Sequence, residues 1–358
     1  MKRVLIIDNQ QFGYLTDTYK YCEHLKDRYD ITYLCYDKGL PKIDLDGIHI
    51  VYVKRWGNKL LRGIYFYLRV LMKMLLFHGF IFIVYFQSFE YIKKILPWKK
   101  MHLDVRTMSV HPDKKQRDKK DKGIKKAAKW YDSISYISDG VGKMLELSED
   151  KRKYLLPLGA DIISHNEKVF DCLRLLYVGT LNNRDILKTV KGLELFIQKR
   201  PHVSIHYDIV GDGKEYDEIS EYISAHDLKD IVMHGRVDYK HLKPFFDDCN
   251  IGVSFVPKTS YYDIQPPTKT FEYAFSGLFT IATSTLSNQE IVRPCNGILI
   301  EDNAESFAGG LEKIMKMKES FKSSEIRTSL LEYSWQNIID TYLVEIIEKE
   351  YPVKEQNV

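Results

Sequence analysis

Cysteine is sparse in this sequence and shows no pairing pattern. The five, Cys22, Cys35, Cys172, Cys249 and Cys295, stand far apart and include no CxxC pair. Their odd number and spacing argue against a disulfide framework and against a zinc site. No GxGxxG follows either leading strand pattern, which disfavours a dinucleotide oxidoreductase. An uncharged apolar run of ~20 residues, the length a spanning helix needs, is missing too. The longest apolar stretch, roughly 64–86, is broken by Arg69, Lys73 and His78. The amino terminus, MKRVLIIDN, passes straight into an apolar strand pattern without a signal-peptide cleavage region, so a cytoplasmic protein is expected. Repeats of solenoid period and long low-complexity tracts are absent.

What is present is an ordinary globular balance: 44% apolar and 28% charged residues over 358 positions. That length suits about two domains. Net charge is only +4, yet the excess is uneven. It gathers in DKKQRDKKDKGIKKAAK (113–129) and along Lys59, Arg62, Arg69 and Lys73 of NKLLRGIYFYLRVLMKMLLF. The amino-terminal half is therefore the one expected to meet an anionic surface.

Short β-branched runs alternate with longer helical patterns, the signature of an α/β fold on parallel sheets. The first series of strand patterns comprises 3–8, 30–37, 48–54, 80–86, 101–110 and 133–138, after which comes YLLPLGAD (154–161). After a polar stretch at 162–171, a second series comprises 173–180, 204–213, 231–237, 251–257, 278–284 and 296–302. YSWQNIIDTYLVEIIEKEY (333–351) reads as an amphipathic terminal helix. Ligands of open α/β sheets bind beyond the carboxyl ends of the strands, so chemistry is sought there.

Three strand ends stand out. YVGTLNNRDIL offers a glycine for close backbone approach and Arg184 before a helix, a combination suited to an anion. A tight turn with a solvated arginine is the equal alternative. YDIVGDGKE resembles a phosphate-binding turn but lacks the third glycine, and a plain strand-to-helix turn fits it as well. MHGRVDYKHL places a strand end where backbone would read a base edge, or merely forms a loop.

The strongest pattern is YYDIQPPTKTFEYAFSG (261–277). Pro266 and Pro267 disfavour helix before them, and Thr268 is expected to cap the helix that follows. Lys269 and Glu272 then share one helical face. The free N–H groups and dipole of a helix start favour phosphate, Lys269 adds a charge, and Glu272 can accept two ribose hydroxyls. The alternative is a capped surface helix with an ordinary ion pair.

Taken in order, YVGTL…R, IVGDGKE, HGRV, PPTKTFEYAFSG and NGILIED, with LPLGAD at the linker and SWQNI near Trp335, resemble the donor-binding half of retaining glycosyltransferases of the GT-B fold, family 4. The resemblance implies two Rossmann-like domains facing each other across a cleft. Residues 1–161 would be the acceptor-binding, membrane-facing domain, 172–332 the nucleotide-sugar donor domain, and 333–358 a terminal helix packing back toward the first. It implies that Glu272 holds the donor ribose while Arg184 and Lys269 neutralise the leaving diphosphate. Gly179, Thr180, Gly211, Asp212, Gly213 and Thr268 would line the donor site, with Val237 toward the base and Gly13 in the turn that admits donor and acceptor. The family often carries a first glutamate eight residues before the ribose glutamate; Ile264 stands there, and Asp263 and Gln265 beside it are expected to touch the sugar instead. The usual GRL…K loop is here GTLNNR.

Such chemistry puts negative charge on a departing nucleotide diphosphate, and preorganised cations are the expected device. No metal, cofactor or protein nucleophile is expected. Asp104, Arg106 and His111, in LDVRTMSVH, are candidates for the acceptor side, with a strand-end structural role as the alternative. In 59–75, Leu61, Ile64, Leu68, Leu71 and Leu75 are assigned to the core. Lys59, Arg62, Phe66, Arg69 and Lys73 form a basic face with an aromatic wedge, suited to an anionic membrane interface. A solvated lysine face is the bland alternative. The expected partners are a nucleotide sugar, a glycan or lipid-linked acceptor in cell-surface polysaccharide synthesis, and the inner face of the membrane. Nucleic acid is disfavoured, because the basic segments lack interleaved aromatics. The rival readings are a sugar-nucleotide epimerase of the same fold and a non-catalytic regulatory subunit.

Overall fold

A computed structural model describes residues 1–352 of the chain as two compact units. The first comprises residues 1–158 together with the segment from Trp335 onward; the second is Gly159–Ser334. Residues 353–358 of the expected terminal helix lie outside the described residues.

The strands of the first unit are β1 (Lys2–Ile7), β2 (Tyr29–Asp37), β3 (Ile48–Lys54), β4 (Phe80–Val84), β5 (His102–Val105), β6 (Ser133–Tyr136) and β7 (Arg152–Leu155). They form one parallel sheet in the order β3-β2-β1-β4-β5-β6-β7. Between them run α1 (Thr16–Leu25), α2 (Lys59–Leu76), α3 (Glu90–Ile95), α4 (Lys114–Ala128) and α5 (Asp139–Met144). Strands covered on both faces must be apolar throughout, and Val4 to Ile7 and Phe80 to Ile83 are indeed buried without a break.

The second unit repeats the plan with β8 (Leu173–Val178), β9 (Ile205–Val210), β10 (Ile231–Gly235), β11 (Ile251–Ser254), β12 (Phe279–Thr283) and β13 (Gly297–Ile300). Its parallel sheet runs β10-β9-β8-β11-β12-β13. Its helices are α6 (Leu187–Lys199), α7 (Tyr216–Ala225), α8 (Lys243–Asp248), α9 (Thr268–Phe275), α10 (Leu286–Ile291), α11 (Ala304–Met317) and α12 (Ser323–Thr328). Leu176, Val210, Phe246, Tyr273 and Leu278 form part of its core.

The chain then returns to the first unit through α13 (Trp335–Ile338), a π-turn (Ile339–Leu343) and α14 (Val344–Glu350). Trp335 meets the ring of Tyr21 edge-on at 6.1 Å, and Glu350 takes Arg152 in a two-point pair at 2.7 and 2.9 Å. Such a pair fixes orientation as well as attraction.

Helix α2 has the expected span but is turned the other way. Phe66 is buried, stacked on Tyr36 at 3.9 Å between centroids and packed against Phe86. Val70 and Met74 continue that face at the i, i+4 spacing. The leucine stripe assigned to the core is the outer one: Leu61, Ile64, Leu68 and Leu75 are 42–52% exposed, and Leu71 is half-buried. Phe66 is thus a core residue and not a membrane wedge. The helix is apolar on two sides, and an aromatic stack outweighs an aliphatic stripe when only one side can be covered.

Candidate functional site

In the second sheet the chain steps from β8 outward to β10, then starts again at β11 on the other side of β8. Strand order reverses between β8 and β11, the place where open sheets bind ligands. The loops after β8 and β9 approach each other here. A Cβ on Gly211 would lie 1.8 Å from the Gly179 carbonyl oxygen, so only glycine lets the two loops touch. Gly179 N–H donates to the Val210 carbonyl at 3.0 Å, and Leu181 N–H to Asp212 at 2.9 Å. A cavity of about 410 Å³ opens at these strand ends. It is lined by Gly179, Thr180, Gly211, Asp212, Gly213 and Val237, six residues anticipated from the sequence, and by Asn182 and Arg236, which were not.

Lys269 sits in the first turn of α9 behind that glycine loop. Its ammonium nitrogen is buried, makes no hydrogen bond, and lies 3.8 Å from the centroid of the Tyr177 ring. A Cβ on Gly179 would come within 2.9 Å of it. Arg184 projects from a strained turn in which both neighbours, Asn183 and Asp185, take φ of +55°. The Glu215 carboxylate holds this turn by accepting from Arg184 N–H at 2.8 Å and Ile186 N–H at 3.3 Å. The Arg184 guanidinium lies over Tyr262 at 4.3 Å, with its buried Nη1 also lacking a hydrogen bond.

Electrostatics couple these groups. Burial, then the neighbouring Arg184 charge, holds the Lys269 amine well below its ordinary range, against the pull of Glu272. Burial pushes the Glu272 carboxyl up to about 7, with Asp161 adding repulsion and Lys269 opposing it. Burial, Glu272 and Asp161 likewise raise Tyr239. The site therefore presents two cations with unused buried donors beside a carboxyl poised near neutrality. That arrangement is complementary to an anion with hydroxyl groups attached.

Other anticipated residues are placed elsewhere. Thr268 is the first residue of α9, and the cap position is held by Pro267 with no side-chain hydrogen bond. Thr268 is not the cap, because the chain is already helical there and Pro267 sets the entry through its fixed φ. The Asp263 carboxylate accepts from Leu286 N–H at 2.8 Å at the start of α10. Gln265 Nε2 donates to the Tyr261 carbonyl at 2.5 Å. Neither residue lines the cavity.

In the first unit, Gly13 takes φ of +85° in the turn after β1. Asp104 and Arg106 are together at 3.8 Å at the end of β5, where Arg106 also binds Asp17 at 2.6 Å and the Leu156 carbonyl at 2.7 Å. Burial raises the Asp104 carboxyl to about 6. One Asp104 oxygen accepts from Ser135 at 2.5 Å, in a chain that continues to His102 at 2.8 Å; the other is buried and unbonded. His111 is apart from them in the loop before α4, where its Nδ1 accepts from Asp113 N–H at 3.1 Å.

Two parallel-sheet Rossmann-like units with the site at the second switch point define the GT-B class of fold. Residues 172–317 match the family model described as glycosyl transferases group 1. Among solved structures, sucrose-phosphate synthase from Thermosynechococcus elongatus superimposes with a TM-score of 0.76 at 14% identity, covering 98% of this chain and 99% of that one. HepE from Anabaena in complex with UDP and glucose gives 0.70 at 11% identity, covering 98% and 100%. The lipopolysaccharide outer core galactosyltransferase WaaB gives 0.68 at 14%, again covering 98% and 100%. No curated protein matches the sequence. Among the described residues no helix is long and apolar enough to cross a membrane.

Proposed function

We propose that the protein is a retaining glycosyltransferase of family 4 that moves a sugar from a nucleotide-sugar donor to a lipid-linked glycan in cell-surface polysaccharide synthesis. The observation that carries the reading is the pair of cations Lys269 and Arg184 beside the glycine-lined cavity, of which the buried Lys269 Nζ and Arg184 Nη1 find no protein acceptor. The family match over this unit and the likeness to UDP- and UDP-glucose-bound HepE support it.

The diphosphate lies at the start of α9, and Glu272 accepts the ribose hydroxyls. As the bond from the anomeric carbon to the diphosphate oxygen breaks, Lys269 and Arg184 meet the charge arriving on the leaving group, and no metal is needed for that task. The acceptor hydroxyl attacks from the same face and its proton passes to the departing diphosphate. The protein works at the inner, anionic face of the membrane, which it meets through the basic residues Lys59, Arg62, Arg69 and Lys73 of α2. Ile264, where the family often has an acid, favours a second reading: a nucleotide-binding subunit without transfer activity.

Calorimetric titration with UDP, GDP and ADP, repeated on Glu272→Ala, tests the site. Saturable binding of one nucleotide, weakened at least tenfold in the variant, is the expected result. Absence of binding to all three sinks the donor-site reading. Binding without sugar transfer to any membrane-extracted acceptor selects the second reading.

A further inference from the structure

Two cavities of the first unit adjoin along α2, and their chemistries differ. One, of about 430 Å³, lies beyond the carboxyl ends of β1 to β4 and is bordered by the cations Lys38, Arg55, Lys59 and Arg62 over the rings of Tyr36 and Phe66. The other, of about 650 Å³, is walled by Leu60, Ile64, Leu68, Leu71, Tyr91 and Ile95. Lys59, Gly63, Tyr67 and Ser88 belong to both, so the two spaces share a wall.

None of the four cations forms an ion pair among the described residues; Arg62 uses Nε on the Gly57 carbonyl at 2.8 Å, and Lys38 donates to Gln10. Lys59 and Arg62 stand in the first turn of α2, which carries no acid. A helix start is already positive, so cations there raise the cost of the empty site and an anion relieves it. The neighbouring wall, with Leu60 71%, Leu68 52% and Ile95 55% exposed, is a contiguous apolar patch of the kind folded chains rarely leave uncovered.

Gly63 joins the two. It is helical, where glycine costs ~1 kcal/mol relative to alanine, yet a Cβ there would meet no atom within 4 Å. Packing does not require this glycine, and its bare Cα faces open space where the two cavities meet.

We infer that the first unit binds a single amphiphile, a hydrocarbon chain ending in a diphosphate, with the head among Lys38, Arg55, Lys59 and Arg62 and the chain along α2 from Leu60 to Leu71. Those residues span roughly 18 Å of helix, room for a chain of farnesyl length. The site deepens the proposed function and, as the seat of its lipid-linked acceptor, rests on it. Its head lies over the Phe66 ring and its chain along the outer stripe of α2, and it is distinct from Asp104, Arg106 and His111.

The probe is farnesyl diphosphate below its aggregation threshold, titrated into the full chain, with inorganic diphosphate, farnesol and phosphatidylglycerol vesicles in parallel. Saturable binding is expected, at least tenfold tighter than either inorganic diphosphate or farnesol. Arg55→Ala with Arg62→Ala, and separately Ile64→Ser with Leu68→Ser, should each weaken it tenfold or more. Gly63→Leu should abolish it while the thermal midpoint stays level or rises, which separates blockage from misfolding. UDP affinity should be unchanged in every variant. Farnesyl diphosphate binding no tighter than inorganic diphosphate, or binding that survives Gly63→Leu, overturns the proposal. Vesicle binding without farnesyl diphosphate binding overturns it in favour of a bilayer contact. Farnesyl diphosphate binding in a chain that ignores all nucleotides upholds this site and defeats the donor-site reading alone.

Discussion

Replacing Lys269 by methionine should make the protein more stable and unable to bind nucleotide. Removing one partner of a buried pair ordinarily costs ~3–5 kcal/mol, because a charge is stranded. Here the partner is Glu272, whose carboxyl already sits near 7. Once Lys269 is gone it can take a proton at neutral pH at little cost, so nothing is stranded. The substitution removes the desolvation of a buried ammonium, several kcal/mol per ion, and forfeits the attraction to Tyr177, ~0.5–2 kcal/mol. A net gain of about 1–3 kcal/mol follows, and for a unit of this size each kcal/mol moves Tm by roughly 2–4 °C. The gain should depend on pH. Burial lowers the Lys269 pKa from its ordinary 10.5, so between the lowered value and 10.5 unfolding takes up a proton. The lysine's contribution to stability therefore rises with pH across that window, and the advantage of methionine shrinks. Scanning calorimetry of both proteins at several pH values, paired with UDP titration at neutral pH, decides the matter. A fall in Tm, or undiminished UDP binding, would refute the argument that Lys269 is held for a ligand.

Two further outcomes follow from the same geometry. Glu272→Gln should alter the pH dependence of stability: a folded pKa raised from 4.5 to about 7 contributes stability that is present below 4.5 and lost as pH rises through 7. The Tm difference, variant minus wild type, should thus grow between about pH 5 and pH 8; a constant difference would show that Glu272 is not raised. Gly211→Ala puts a Cβ 1.8 Å from the Gly179 oxygen and should cost ~1–3 kcal/mol and at least tenfold in nucleotide affinity, whereas Gly309→Ala, with nothing within 4 Å in α11, should raise stability by up to ~1 kcal/mol. Equal Tm values for these two alanine variants would count against the touching loops.

The sheets were legible because parallel strands covered on both faces are written as unbroken apolar runs, and each of the twelve expected runs coincides with a strand among the described residues; β7, which opens on Arg152 and Lys153, has no such run. Their ends overshoot where apolar loop residues follow the strand, as at Phe86 and Val256. The glycine cradle could be read because Gly179, Gly211 and Gly213 each end a strand pattern. The supports of the site could not. Glu215 is 31 positions from Arg184 and Tyr262 is 78, and no local pattern marks residues that meet only through the sheet. Helix α2 shows the limit most plainly: period 3.6 locates the helix, but two apolar stripes leave open which is covered, and the stack of Phe66 on Tyr36 decides it.

Aromatic rings explain how buried cations stay available. A lysine or arginine taken out of water is usually satisfied by carboxylates or carbonyls, and once satisfied it has little left for a ligand. The face of Tyr177 under Lys269 and of Tyr262 under Arg184 attracts the charge and leaves Lys269 Nζ and Arg184 Nη1 without an acceptor. Each cation is held in place while those two atoms remain open. In the first unit Arg55 stands 5.9 Å from the ring of Tyr36, itself fixed by its stack with Phe66, and no carboxylate pairs with it among the described residues. Both units thus place cations on aromatic floors beyond the carboxyl ends of a parallel sheet. The difference lies beside them: glycine backbone and Glu272 in the second unit suit a polar nucleotide, and the apolar wall of α2 in the first suits a hydrocarbon chain.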